Sequence, residues 1–182
     1  PICYHPPSAG SVVVGYHEHS IDNPQEAHAL GLGMVYQHFT LVPHMTVMEN
    51  LILVRQNLPN VVNWKTARTE LGVFMERMPL QVDLDTRAQD LSAGEKQKVE
   101  ILKQLYLNAR FLILDEPTSV LTPGEADEVL GLIRDMTRES GLTVLMITHK
   151  FREVMAFADE VSVLRRGKYV GGGMVTDLTP DE

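Results

Sequence analysis

Residues 111–116 read Phe-Leu-Ile-Leu-Asp-Glu, four apolar side chains in unbroken succession that end in two adjacent acids. A strand with one wet face alternates apolar and polar residues, whereas an unbroken run fits a strand covered on both faces, the kind found in parallel sheets flanked by helices. Residues 143–148 predict a second buried strand. Between the two runs, Ala126, Val129, Leu130 and Ile133 follow helical spacing. Strand, helix and strand in that order predict an α/β chain with a parallel sheet, in which ligand chemistry gathers at the carboxyl ends of the strands. Asp115 and Glu116 stand at such an end.

Helix starts are legible along the rest of the chain. Thr46 with Glu49, Ser92 with Glu95, and Thr122 with Pro123 and Glu125 each place a hydroxyl three residues before an acid, so that hydroxyl and carboxylate satisfy orphan backbone N–H groups. Asn63 caps a helix expected over 64–78, stopped by Pro79. Short strands are expected at 12–14 and 33–36, with a polar, turn-rich stretch around Asp22, Asn23 and Pro24 and a short helix over 25–30. Helices follow the caps at 46 and 92, the second ending near Asn108. Gly141 closes the helix begun at Thr122, and Phe151, Val154, Met155 and Ala158 mark another. A hairpin is expected around Arg166 and Gly167, and the run 171–173 reads as a flexible turn. These elements divide the chain into an α/β core, 1–45 and 91–182, and a small helical subdomain, 46–90.

Composition narrows the function classes. The 182 residues suit one ordinary domain. A formal charge of −8, with no basic run, argues against free binding to nucleic acid, whose phosphates are met mainly by Lys and Arg. The apolar runs are too short to cross a bilayer, so a membrane role would require a partner. The single cysteine, Cys3, admits no internal disulfide and is expected to be an inert thiol, with the cytoplasm as the natural compartment.

Each polar feature taken alone allows two readings. Asp115 and Glu116 can hold a cation and activate water, or form an exposed acidic turn. The turn Leu91, Ser92, Ala93, Gly94 and Glu95 can receive phosphate oxygens at a helix amino terminus, or simply cap it. His149, after the second buried strand, can reach a phosphate or serve structure. Gln37 can orient water or complete a Mg²⁺ shell, or end a strand.

In order, Gln37, the 91–95 turn, residues 112–117, Ser119 to Thr122, and Thr148 with His149 resemble the Q-loop, signature, Walker B, D-loop and H-loop of ATP-binding cassette ATPases. The stretches MVYQHFTLVP (34–43), VEILK (99–103), DEPTSVLTPGE (115–125) and ITHKFREVM (147–155) are similar to the first of two tandem cassettes in importers of simple sugars and nucleosides. The resemblance implies a P-loop NTPase-like parallel sheet with an inserted helical subdomain, and ATP and Mg²⁺ as ligands. It implies that Glu116 polarises the attacking water, Asp115 and Gln37 serve Mg²⁺, and His149 steadies the γ-phosphate. Ser92, Ala93, Gly94, Glu95 and Ser119 would face nucleotide. The implied partners are a second cassette, membrane permease subunits and, indirectly, an extracytoplasmic solute-binding protein, with no nucleic acid. The implied place is the inner face of the cell membrane.

The sequence departs from that pattern in several places. It contains no Gly-x4-Gly-Lys-Ser/Thr phosphate loop (Walker A). Pro7, Ser8, Ala9 and Gly10 resemble the turn that follows such a loop's helix, so the chain is expected to begin downstream of it and to be inactive alone, with exposed sheet backbone, marginal stability or self-association. Ala93 and Glu95 replace the commonest signature glycine and glutamine, Thr122 stands where many D-loops carry aspartate, and the segment 54–63 is short. Two alternatives stay open: a non-catalytic module that only donates its signature turn to a partner's nucleotide, and a nucleic-acid-linked cassette ATPase.

Overall fold

The computed structural model describes residues 12–14, 16–19, 21, 23–55 and 58–177. Cys3, the 7–10 turn, Asp22 and positions 56 and 57 of the short segment lie outside them. The chain forms two compact units, Pro1–Ile147 and Thr148–Glu182.

The first unit is organised by three parallel strands in the order β3–β4–β5: β3 (Leu32–Val35), β4 (Phe111–Asp115) and β5 (Thr143–Ile147). Val35 lies beside Leu114, and Leu114 beside Met146. Burial along β4 alternates: Leu112 and Leu114 are fully buried beside an equally buried Val35, whereas Phe111 and Ile113 on the other face are half-buried, so the unbroken apolar run is fully covered on one face only. Helix α4 (Ala93–Tyr106) packs against β3 and contributes Val99, Ile101 and Leu102 to the core; α5 (Pro123–Glu139) contributes Val129. All three expected capping boxes form, at Thr46, Ser92 and Thr122. Each involves residues three apart, so local sequence suffices to specify it.

Two expectations for this unit need correction. Strand β5 is not buried: it stands at the edge of the three-stranded sheet, and Leu145 and Ile147 are 50% and 49% exposed. An apolar run shows what a strand can bury and not whether a neighbour lies beside it. The stretch before Asp22 holds a further strand, β2 (His17–His19), paired antiparallel with β1 (Val12–Val14). Its His-Glu-His sequence carries no apolar alternation by which to recognise it. After it, α1 (Pro24–Ala29) starts at Asn23, whose side chain accepts the Glu26 N–H.

Between β3 and α4 the chain leaves the sheet and returns. Helix α2 (Val47–Leu53) follows Thr46, and α3 (Trp64–Glu76) follows the Asn63 cap. The excursion closes on itself: Thr46 bridges Arg87, the Val47 N–H donates to Thr86 O, and the Ala88 N–H donates to Met45 O. Its entry is held from two sides. Buried Asn50 accepts the Val42 N–H and donates to Val42, Met45 and Thr46 carbonyls. Thr40 donates its backbone N–H and its hydroxyl to Glu100 of α4. Glu100 is itself paired with Lys103 at 3.0 Å, and both side chains are almost fully buried. A buried ion pair costs desolvation and is tolerable only when its donors and acceptors are met, which Thr40 helps to do.

The second unit comprises α6 (Phe151–Phe157) and a hairpin of β6 (Glu160–Arg165) and β7 (Lys168–Met174). Its two-residue turn, Arg166 and Gly167, has φ of +50° and +73°, the positive pair that matches the twist of a tight hairpin. The expected flexible turn at 171–173 is instead part of β7, paired with residues 161–163. A Cβ added at Gly172 would lie 2.3 Å from the Val161 carbonyl oxygen, so a glycine is required for the strands to meet there. Of the apolar residues expected to mark α6, Val154, Met155 and Ala158 are half-buried and Phe151 is exposed, while the buried residue is Glu153.

Candidate functional site

The carboxyl ends of β3 and β4 bring two of the expected residues together. Gln37 lies two positions beyond Val35 and Glu116 two beyond its register partner Leu114, so parallel pairing carries both past the sheet side by side. There the Gln37 Nε2 donates to Glu116 Oε2 at 3.2 Å, across 79 residues of chain. Only the amide nitrogen can donate to a carboxylate, which leaves the Gln37 amide oxygen available as an acceptor. Asp115 is the last residue of β4, and both acids are half-buried.

Glu116 has φ of +44°, a left-handed conformation that residues other than glycine seldom adopt. Its N–H donates to the Ile147 carbonyl at the end of β5, and its own carbonyl accepts the Ser119 N–H, so the turn is fixed at both ends. Strained backbone at an acid over a strand end is the kind of outlier that accompanies function. Pro117 and the fully buried Thr118 are the two central residues of this turn, and Ser119 at its end is exposed.

The signature-like turn forms the start of α4. Ser92 Oγ accepts the Glu95 N–H at 3.2 Å, and the Ser92 N–H donates to Glu95 Oε2 at 2.8 Å. Ser92 and Glu95 are exposed, Ala93 is half-buried, and Gly94 is buried. The Gly94 N–H donates to Glu125 Oε1 at 3.1 Å, while Glu125 Oε2 accepts from the Thr122 N–H and hydroxyl at 3.0 and 2.8 Å. Glu125 therefore does more than cap its own helix, the only role its position in sequence suggested. The Thr122 N–H, the Thr122 hydroxyl and then the Gly94 N–H hold its carboxyl below the ordinary value of 4.5.

His149 belongs to the second unit. Its turn is pinned on either side: the Thr148 hydroxyl accepts the Lys150 N–H at 3.1 Å, and Lys150 Nζ pairs with buried Glu153 at 3.2 Å.

The donor set at the β3 and β4 ends fits Mg²⁺. The Asp115 carboxylate and the Gln37 amide oxygen are hard oxygen ligands, and Mg²⁺ characteristically uses one or two carboxylates together with phosphate and water. The described residues contain no cluster of three or more His, Cys, Asp or Glu that could hold a metal ion. No helix among the described residues is long and apolar enough to cross a membrane.

The family model described as ABC transporter matches residues 3–119. The chain is 42% identical over 97% of its length to the nucleoside import ATP-binding protein NupA of Lactococcus lactis subsp. cremoris, covering 35% of that protein. It is 40% identical over 91% of its length to the ribose import ATP-binding protein RbsA 1 of Streptomyces avermitilis, covering 32% of it. With the D-allose import ATP-binding protein AlsA of Escherichia coli K12 it shares 33% identity over 98% of its length and 36% of that protein. The chain thus spans about a third of the length of these relatives. Among solved structures, cbiO1 of Clostridium perfringens superposes with a TM-score of 0.79 at 24% identity, over 96% of this chain and 70% of that one. The ATP-binding cassette MJ1267 in its ADP conformation gives 0.79 at 22%, over 94% and 72%. These last two likenesses concern the fold.

Proposed function

Because this chain belongs to the ABC transporter family, we propose that it is the ATP-binding and ATP-hydrolysing part of an importer, with a sugar or a nucleoside as the transported class. The observation that carries the catalytic half of this reading is the hydrogen bond from Gln37 to Glu116. It places a carboxylate, an amide oxygen and the neighbouring Asp115 over the ends of two adjacent parallel strands, where an open α/β sheet receives its ligands. The transported class rests on the relatives, each an import ATP-binding protein for a nucleoside or a sugar.

In this reading the Glu116 carboxylate accepts a proton from the attacking water as it approaches the γ-phosphorus of ATP. Gln37 orients this carboxylate through the hydrogen bond to its Oε2. Asp115 and the Gln37 amide oxygen would hold Mg²⁺, whose chemistry is to neutralise charge on the phosphate oxygens. His149 steadies the γ-phosphate, and Ser119 faces the nucleotide. Ser92, Ala93, Gly94 and Glu95 present the amino end of α4 to a triphosphate bound by a second cassette. Residues 46–90 form the helical subdomain set in the α/β core. The further partners are permease subunits, which place the chain at the cytoplasmic face of the membrane.

The phosphate loop is not among the 182 residues. A second reading, favoured by the exposed Ser92 and Glu95 at the start of α4, is a chain that contributes only its signature turn to a partner's nucleotide. One experiment separates the two. ATP turnover is measured on the chain extended at its amino end by a phosphate-loop segment, with Glu116 intact and as Glu116→Gln. The catalytic reading expects the substitution to lower turnover by about 10² to 10⁴. Equal turnover in both proteins excludes Glu116 as the base and leaves the signature-donating reading.

A further inference from the structure

A helix start that receives phosphate needs an N–H to offer, and in this structure the Gly94 N–H is already engaged. Its partner is the Glu125 carboxylate, which comes from the start of a different helix, 31 residues along the chain. The geometry points to Glu125 as a resident anion at the signature turn, one that must release Gly94 before a partner-held triphosphate can occupy it. This rests on the reading of residues 92–95 as the turn offered to a second cassette, and adds to it a residue that sets how readily the turn accepts phosphate.

Three observations support the assignment. Gly94 is buried within a turn whose Ser92 and Glu95 are exposed and whose Ala93 is half-buried, so the N–H lying in the first turn of α4 is covered by Glu125. A Cβ on Gly94 would lie 3.0 Å from Glu125 Oε1, 3.2 Å from its Cγ and 3.3 Å from its Cδ. The glycine therefore admits the carboxylate now, and the space that carboxylate fills is the space a phosphate oxygen would need. Finally, the two oxygens of Glu125 are divided: Oε2 completes the Thr122 capping box and Oε1 reaches Gly94. Release of Gly94 thus leaves the start of α5 capped, and the contact can break without unfolding a helix.

The consequence is electrostatic. A phosphate oxygen at the Gly94 N–H and a charged Glu125 compete for one donor and repel each other. Because Glu125 follows the Ser119–Thr122 turn, itself hydrogen-bonded to Glu116 through Ser119, phosphate arrival at this turn is felt on the segment that leads back to the acid of the other site.

The test uses the 182-residue chain labelled with ¹⁵N, inorganic phosphate as the probe, and the Gly94 amide resonance as the readout at low ionic strength. Glu125→Gln keeps an N3 residue that can still close a capping box and removes the charge. Glu139→Gln removes one exposed charge from the far end of the same helix. The expected result is that Glu125→Gln tightens phosphate binding at Gly94 at least tenfold while Glu139→Gln matches the unaltered chain. Should Glu125→Gln disturb the helix, Glu125→Asp, whose shorter arm keeps the charge but withdraws it from Gly94, is expected to show an intermediate gain. Equal affinity in all proteins, an equal gain in both glutamine variants, or no response of Gly94 in any of them overturns the proposal. Association of the chain with a separate MgATP-loaded cassette reports on the underlying reading: association without the Glu125 effect sinks only the resident anion, and the Glu125 effect without association sinks only the pairing.

Discussion

Gly33, in the middle of β3, allows a quantitative test of how closely the strand that leads to Gln37 is packed against α4. A Cβ built there would lie 2.8 Å from Ala109 Cβ, 3.1 Å from Gln104 Cβ and 3.1 Å from Gln104 Oε1. Two of these three atoms are Cβ carbons, which cannot rotate away, so Gly33→Ala must displace β3 or the end of α4. Overpacking of this kind costs about 2 kcal/mol. Ala109→Gly alone loses a buried methyl and adds backbone freedom, about 1 kcal/mol. Independent effects would sum to about 3 kcal/mol. Removing Ala109 Cβ relieves the tightest of the three contacts but leaves Gln104, so the double variant should fall at about 2 kcal/mol, a coupling of about 1 kcal/mol. Urea unfolding followed by circular dichroism measures all four corners; with a slope of about 2 kcal/mol/M, Gly33→Ala lowers the midpoint by about 1 M. Additivity within about 0.4 kcal/mol would show that the contact does not exist as described.

Two further outcomes follow from particular contacts. Gly172→Ala should open the β6–β7 hairpin, because the new methyl meets the Val161 carbonyl oxygen at 2.3 Å, whereas Gly171→Ala and Gly173→Ala, with nothing within 4 Å, should be tolerated; amide exchange across 161–173 distinguishes them. The carboxyls of Glu125 and Asp85 both lie below their ordinary values, the first through Thr122 and Gly94 and the second through its hydrogen bonds to Arg68. A depressed carboxyl stabilises the fold above its unfolded value and loses that contribution as pH falls through the folded one. Stability should therefore drop with acidification below about pH 4.5, and Glu125→Gln with Asp85→Asn should flatten that slope in a series of urea midpoints.

Much of this molecule is written in residues that lie close together in the chain. The capping boxes at Thr46, Ser92 and Thr122 depend on side chains three apart, and the central strand is recognisable from four consecutive apolar residues, so the helix starts and β4 follow from the amino-acid sequence. Asp115 and Glu116 are adjacent for the same reason, and their place at a strand end needs no tertiary knowledge. The positive φ of Glu116, its bond to Gln37 and the hold of Glu125 on Gly94 are different in kind. They join residues 79 and 31 positions apart, and whether such groups meet depends on strand register and on how α4 and α5 pack. The edge position of β5 and the straight run of glycines in β7 belong with them, because neighbours in space, and not the residues themselves, decide whether an apolar strand is covered or a glycine is needed. The sequence by itself determined the helix starts, the central strand and the acids; the tertiary structure decided which partner each acid has, since a hydrogen bond between distant residues exists only where packed elements bring its two ends together.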